Sequence, residues 1–378
     1  MSGYLLDEEG TLLVQMAREF AEKELKPRVA ECDRSGEFPL DLYLRAAELG
    51  LSYMEVPEQY GGPEVNHITI AAIYEEIGRI DAGFGISMAG STLGYKPVML
   101  GGSPEQNKLY ADALMAGKFA AFALTEPNAG SDNSAISTTA IRDGDEYILN
   151  GTKCFITNGG VADLCTVFAS TDLSRGIRGL SCFIVEKGTP GFSSGKEEDK
   201  MGIRLSNTTE LIFQDARIPA SNLVGREGGG FKLAMRTLDL ARCAIGPFAV
   251  GIAQRALEES VTYAKNRVQF GKPISALQGI QFMLADMAIR TQTARQMSVH
   301  ALTLAGQGKP YGLEGAIAKC YSADIAVQNA LDAIQILGGY GYSRDFPVEK
   351  LLRDAKIFQI FEGTNQIQRA VIASHVMR

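Results

Sequence analysis

The chain has 378 residues with a net charge of -7 and an isoelectric point near 5.3, long enough for two or three lobes around large cores. Acidic and basic residues are interspersed without a long basic run, which argues against a nucleic-acid backbone as partner. Three histidines (His67, His300, His375) without ligand spacing and six cysteines without a C-x-x-C pair leave zinc chemistry, a histidine triad and a disulfide framework poorly supported, and no metal is expected.

In chain order, residues 1 to about 119 read as a helical lobe. Leu13, Met16, Ala17 and Phe20 fall on one helical face, and Pro27 is expected near the end of that run. A second helical cluster runs from Ile68 to Met115, with breaks at Pro57 to Pro63 and at Gly101 to Pro104. From 120 to 230 short β-prone runs follow, with a hairpin turn at Arg142 to Tyr147 and strands at Leu164 to Ala169, Ser181 to Val185 and Thr209 to Phe213. Without crossover helices between them, these predict an antiparallel sandwich or barrel. From 231 to 378 long helical segments return, including Ile280 to Leu304, Glu314 to Leu337 and Glu349 to Phe358, and read as a four-helix bundle. The fold class is α+β with three domains, 1–119, 120–230 and 231–378. No apolar run is long enough to span a bilayer, and the first ten residues have neither signal nor transit character, so a cytoplasmic location is expected.

Chemistry-bearing residues cluster at a few joints. Phe122 to Asp132, which includes Leu124, Thr125, Gly130 and Ser131, combines hydroxyls with turn residues whose N–H groups suit ligand oxygens and ring heteroatoms; a plain inter-domain loop is the alternative. Phe155, Ile156 and Thr157 close a strand with an aromatic that either joins the core or flanks a flat ring. Gly225 to Gly230 and Gly338 to Gly341 match neither a dinucleotide fingerprint nor a P-loop, so no Rossmann fold is read. Arg267, with Gln269 and Phe270, offers a guanidinium suited to a diphosphate, or is an ordinary surface arginine. Asp239 and Arg242, three apart on a helix, are a salt-bridged pair or a polar face toward a ligand. Finally, Ile360-Phe361-Glu362-Gly363-Thr364 sets one carboxylate between apolar residues and a glycine, which suits a general base for carbon acids; a solvated glutamate at a helix start, where the macrodipole favours an acidic residue, is the alternative and the preferred reading of the stretch taken alone.

The stretches L-T-E-P-N-A-G-S-D, F-I-T-N-G-G, D-K-M-G-I-R, N-R-V-Q-F-G-K-P, Q-I-L-G-G-Y-G-Y and I-F-E-G-T-N-Q-I-Q-R occur in the order and spacing of the acyl-CoA dehydrogenase family, and together the chain resembles that family over nearly its whole length. The resemblance implies FAD as cofactor. Phe122, Leu124, Thr125, Gly130, Ser131, Phe155, Ile156 and Thr157 would contact it, with Thr125 and Thr157 near the isoalloxazine. Arg267, Gln269, Phe270, Gln278, Gln335, Gly338, Gly339, Thr364 and Gln366 would hold its diphosphate and adenosine, partly across a subunit interface of a homotetramer. Ser131, Tyr95, Asp239, Arg242 and Gly363 would contact the acyl-CoA. Glu362 would take the α-proton while the β-hydrogen leaves as hydride to flavin N5, with electron-transfer flavoprotein as the acceptor.

Departures from the family pattern narrow the expectation. Ala241 stands where some members carry the base, Phe155 where Trp is usual, and Phe361 where Tyr is common. Gly85 stands near the arginine of members that handle glutaryl-CoA, which disfavours a dicarboxylic acyl group. Tyr95 near the pocket-closing helix would favour short, branched, cyclic or aryl acyl groups; in the alternative, Tyr95 faces the core and Lys96 the solvent. An oxidase, an enoyl-CoA reductase and a non-catalytic CoA-binding scaffold remain the rival readings.

Overall fold

The computed structural model describes residues 3–377. The first helical lobe holds α1 (Glu8–Phe20), α2 (Lys26–Ser35), α3 (Leu40–Glu48), α4 (His67–Ile80), α5 (Ala82–Gly101) and α6 (Pro104–Met115). Here the helix does not end near Pro27. One π turn, Ala21–Leu25, joins α1 to α2, so the proline falls in the first turn of the continuing segment, where its missing N–H and ring are tolerated. The run stops at Gly36, in left-handed geometry with φ 77°.

The strands are β1 (Ala120–Ala123), β2 (Thr139–Asp143), β3 (Glu146–Thr157), β4 (Leu164–Ser170), β5 (Leu180–Glu186), β6 (Phe192–Glu197), β7 (Thr208–Pro219) and β8 (Leu223–Val224). They form one sheet in the order β6-β7-β3-β2-β4-β5-β8, with β1 alongside β4. Most pairings are antiparallel, as expected, but β1 and β2 both run parallel to β4, so the sheet is mixed. β4 is buried along its whole length, which is why it reads as a continuous run rather than an alternating one. The β2–β3 turn is the expected hairpin, with Gly144 at φ 61°.

Helices α7 (Gly230–Asn266), α8 (Gln278–Gly306), α9 (Gly312–Leu337), α10 (Val348–Phe358) and α11 (Asn365–Val376) follow, with a minute hairpin of β9 (Val268–Gln269) and β10 (Lys272–Pro273) around Phe270. Buried ion pairs join the lobes: Arg295 of α8 grips Glu75 of α4 through Nε and Nη2 at 2.8 and 2.6 Å, and Lys350 of α10 reaches Asp81, the N-cap of α5, at 2.5 Å. Helix α5 packs directly on β1 because Gly94 has no side chain: a Cβ there would lie 2.7 Å from the Ala121 nitrogen. Among the described residues no helix is long and apolar enough to cross a membrane, and no cluster of His, Cys, Asp or Glu is placed to hold a metal.

Candidate active site

The loop between α10 and α11 carries Glu362. Phe361 packs edge-on against Phe358, with ring centroids 5.0 Å apart, and the chain then turns through Glu362 at φ 54° and Gly363 at φ 84°. A glutamate in left-handed geometry is strained, and strain of this kind is held only where surrounding contacts over-determine it. Those contacts are present. Nζ of Lys319, on α9, donates to the Gly363 carbonyl at 2.6 Å and to Oδ1 of Asn365 at 3.0 Å. The Gln368 amide donates to the carbonyls of Glu362 and Gly363 at 3.2 and 3.1 Å.

The carboxylate itself is unspent. Its Oε2 is buried and has no hydrogen-bond partner. Burial pushes the Glu362 carboxyl up to about 7, against the opposing pull of Arg242, Lys319 and Lys96. Arg242 pairs with Asp239 at 2.8 Å, and its own Nε is also buried without a partner. A carboxyl that titrates near neutrality and an unsatisfied guanidinium N–H therefore belong to one electrostatic neighbourhood.

The segments expected to meet a flavin are organised from a different direction. Glu126 and Lys153 form a buried pair at 2.7 Å. Burial alone would raise Glu126, but the Lys153 ammonium and bonds from Ser137 and Thr138 overcome it and bring the carboxyl to about 2. Lys153 also donates to the Leu124 carbonyl at 3.1 Å, and the Cys154 N–H to the Thr125 carbonyl at 3.0 Å. These bonds join the Thr125 loop to the strand that ends in Phe155, Ile156 and Thr157. Just beyond, the Asn158 amide donates to the carbonyl of Ser87 at 2.8 Å and to Ser91 Oγ and the Ala120 carbonyl, each at 3.3 Å. Helix α5 is thus common to both halves: it anchors this strand end through Ser87 and Ser91, and its Lys96 acts on Glu362.

Other expected residues divide by exposure. Phe155 is 66% exposed at φ 56° and Phe270 90% exposed at φ 53°, aromatic rings held outward on strained backbone. Thr125 and Thr157 are half-buried, and Gly130 and Ser131 are exposed. Ile156 and Leu124 are buried, and Phe122 packs on Phe168, so Ile156 and Leu124 offer mainly backbone atoms. Arg267 lies over the ring of Tyr340, 5.7 Å from its centroid, beside Gly338 and Gly339. Gln269, Gln278, Gln335 and Gln366 are exposed, while Thr364 caps α11 by accepting from the Ile367 N–H at 3.2 Å. Among the described residues no hydrogen bond or ion pair connects the Arg267 and Gly338 group to the Thr125 and Phe155 group within this subunit.

On α5 the structure selects the core alternative for Tyr95 over the pocket one and corrects the expectation for Lys96. Tyr95 is fully buried, stacked on Tyr110 with its hydroxyl donating to Asn107 at 3.1 Å, so it is removed from the wall of an acyl pocket. Lys96 does not face solvent: it is buried, paired with Glu55, and lines a small cavity with His67 and Leu240. The cause is that α5 is covered on nearly all sides, so neighbouring residues both point into protein. At Gly85, a Cβ would lie 2.4 Å from the Phe248 ring, so that ring occupies the space an arginine would need.

Lys319 and the Glu126–Lys153 pair were not singled out from the sequence. Lys319 carried a signal: it falls on the face of α9 that includes Gly315, Ala316, Ser322 and Ala323, all buried, where a charge needs a partner.

With this geometry in view, the comparisons with known proteins are decisive. The acyl-CoA dehydrogenase N-terminal, middle and C-terminal domains match residues 7–118, 121–216 and 228–377. The chain belongs to the acyl-CoA dehydrogenase family. It is 48% identical over 98% of both chains to an acyl-CoA dehydrogenase of Bacillus subtilis. It is also 46% identical to the NADH-dependent acryloyl-CoA reductase of Anaerotignum propionicum, over 99% of this chain and 96% of that one. The structure of butyryl-CoA dehydrogenase from Megasphaera elsdenii superposes with a TM-score of 0.97 at 42% identity, covering all of both chains. Members of this family are flavoproteins and oxidoreductases, and the exposed, strained Phe155, two residues before Thr157, fits a flat ring system.

Proposed function

We propose that the protein is an FAD-dependent dehydrogenase of short acyl-CoA thioesters, with Glu362 as the α-proton base. The observation that carries this reading is the buried, partnerless Oε2 of Glu362, brought near neutrality by burial among three cations. Glu362 takes the α-proton onto its carboxylate as the double bond forms between Cα and Cβ. What FAD supplies when bound is a two-electron acceptor for the hydrogen that leaves Cβ with its electron pair.

The surrounding residues do the rest. The Glu362 N–H, which has no partner within the loop among the described residues, is available to a thioester carbonyl. Phe361 and Ile360 supply apolar surroundings, and a bound acyl chain would exclude water further and favour proton transfer. Thr125, Gly130, Ser131, Phe155 and Thr157 would hold the flavin, and Arg267, Gln269, Phe270, Gln278, Gln335, Gly338, Gly339, Thr364 and Gln366 its diphosphate and adenosine. In the proposed homotetramer these two groups would come from neighbouring chains. Asp239, Arg242 and Gly363 would contact the acyl-CoA.

A short acyl group is favoured by the names of the relatives, which act on butyryl-CoA and acryloyl-CoA. A dicarboxylic group is disfavoured because Phe248 crowds Gly85 and Lys96 is already paired with Glu55. Electron-transfer flavoprotein is the proposed acceptor. Anaerobic mixing with straight, branched, cyclic and aryl acyl-CoAs tests the substrate class: bleaching of the flavin by butyryl-CoA is expected, and bleaching only by another class would overturn the short-chain reading. The acryloyl-CoA reductase relative favours one second reading, the same chemistry in reverse. NADH consumption that depends on an enoyl-CoA and on an added electron-transfer flavoprotein would select it.

A further inference from the structure

Three cations act on Glu362, and two of them are already neutralised. Arg242 of α7 is paired with Asp239 at 2.8 Å, and Lys96 of α5 with Glu55. Asp324, the acidic residue of α9 nearest this loop, is engaged by Arg369 of α11 at 2.6 Å and by the amides of Gln359 and Asn365 at 2.7 and 2.8 Å. Lys319 differs. It is completely buried, and its hydrogen-bond partners, the Gly363 carbonyl and the Asn365 side chain, are neutral. On α9 itself the titratable groups that act on Lys319 are the Cys320 thiol, which burial holds protonated, and Asp324, already engaged as above.

An ammonium buried with neutral partners is unfavourable unless a counter-charge lies close. Here that counter-charge is Glu362, and the two meet through the loop that Lys319 ties down. We propose that Lys319 is the positioning residue of the catalytic base: its ammonium clamps the strained Glu362-Gly363 turn and, beside the larger pull of the Asp239-paired Arg242, is the unpaired positive charge that helps keep the Glu362 carboxylate ionised while its Oε2 stays free for substrate. The proposal rests on the reading of Glu362 as base. It agrees with the shifts on both groups. Burial lowers Lys319 to about 8 while Glu362 pulls it back up, and Lys319 in turn opposes the rise of Glu362.

The sign is fixed. Removing the ammonium removes a charge that favours ionised Glu362, so the carboxyl titrates at higher pH and the base is idle at neutrality. The test is an infrared pH titration of the flavin-loaded protein, following the protonated-carboxyl band assigned to Glu362 by its loss in Glu362→Gln. It is paired with the pH profile of kcat/KM. Lys319→Met and Lys319→Gln should each move both midpoints upward by about one pH unit or more, and Lys319→Arg should restore most of the wild-type position. Lys319→Gln retains an N–H donor without charge, so a wild-type midpoint in that variant would show that hydrogen bonding alone suffices and would overturn the proposal. Unmoved midpoints in Lys319→Met with full flavin content would overturn it as well. If Lys319→Met does not fold, the Gln and Arg pair decides. Wild-type turnover in Glu362→Gln would instead remove the base reading, and the infrared comparison of the lysine variants would still stand.

Discussion

Glu362 occupies its position at a cost. Its backbone lies at φ 54°, a conformation that costs a non-glycine residue on the order of 1–3 kcal/mol, and its carboxyl is raised from 4.5 to about 7 by burial. For an acid whose folded pKa exceeds the unfolded one, stability is present below the unfolded pKa and lost as pH rises through the folded one. Glu362→Gln should therefore stabilise the protein at pH 8, by at most ~3 kcal/mol and less because the loop is partly open to water. The gain should fade below about pH 5; urea unfolding at both values measures it. The opposite sign holds for activity, since the base works only when ionised: kcat/KM should rise with pH through about 7 and fall about tenfold per unit well below it. Glu362 could not be read from its local setting alone, where an acidic residue before a glycine suits a solvated helix start equally well; the other motifs along the chain singled it out. The cations that govern it could not be read there either, because Lys96, Arg242 and Lys319 reach it only through the packing of α5, α7 and α9.

At the level of elements, the Thr125 loop is held to β3 by one buried ion pair. Lys153→Met leaves Glu126 buried without its counter-charge, and breaking such a pair costs about 3–5 kcal/mol. We expect that variant to lose stability and flavin together, and Glu126→Gln combined with Lys153→Met to recover part of both; thermal unfolding and the flavin to protein absorbance ratio report the two effects. The long helices were legible because their apolar faces repeat over many turns. Two features escaped local rules. The π turn before Pro27 lets a helix continue where a proline signals its end, and the parallel pairing of β1 with β4 skips over the β2–β3 hairpin, so no pattern of adjacent strands announces it. The placement of Tyr95 stayed open between pocket and core, and the burial of Lys96 was missed, for a related reason: in a helix as fully covered as α5, sequence does not tell a core face from a pocket face.

For the whole molecule, the order of helical lobe, β sheet and helical lobe is written in the change of hydrophobic period along the chain, whereas a candidate surface for the proposed homotetramer shows only in three dimensions. Phe282 and Ile289 of α8 are 61% and 62% exposed, with Phe270 close by in sequence at 90%. Exposed apolar groups of this size commonly mark an interface. Sedimentation should give four times the 40.7 kDa chain mass, and Phe282→Glu with Ile289→Asp should yield smaller species that bind FAD poorly; a wild-type assembly with full flavin in that variant would place the interface elsewhere. The most direct test of the account is single-turnover anaerobic mixing with butyryl-CoA, comparing wild type with Glu362→Gln by flavin absorbance. The account predicts an unchanged flavin spectrum before mixing and bleaching slowed by roughly a thousandfold or more in the variant, at the upper part of the range for loss of a general base. Bleaching within about tenfold of wild type would contradict it, because a group other than Glu362 would then have to take the α-proton.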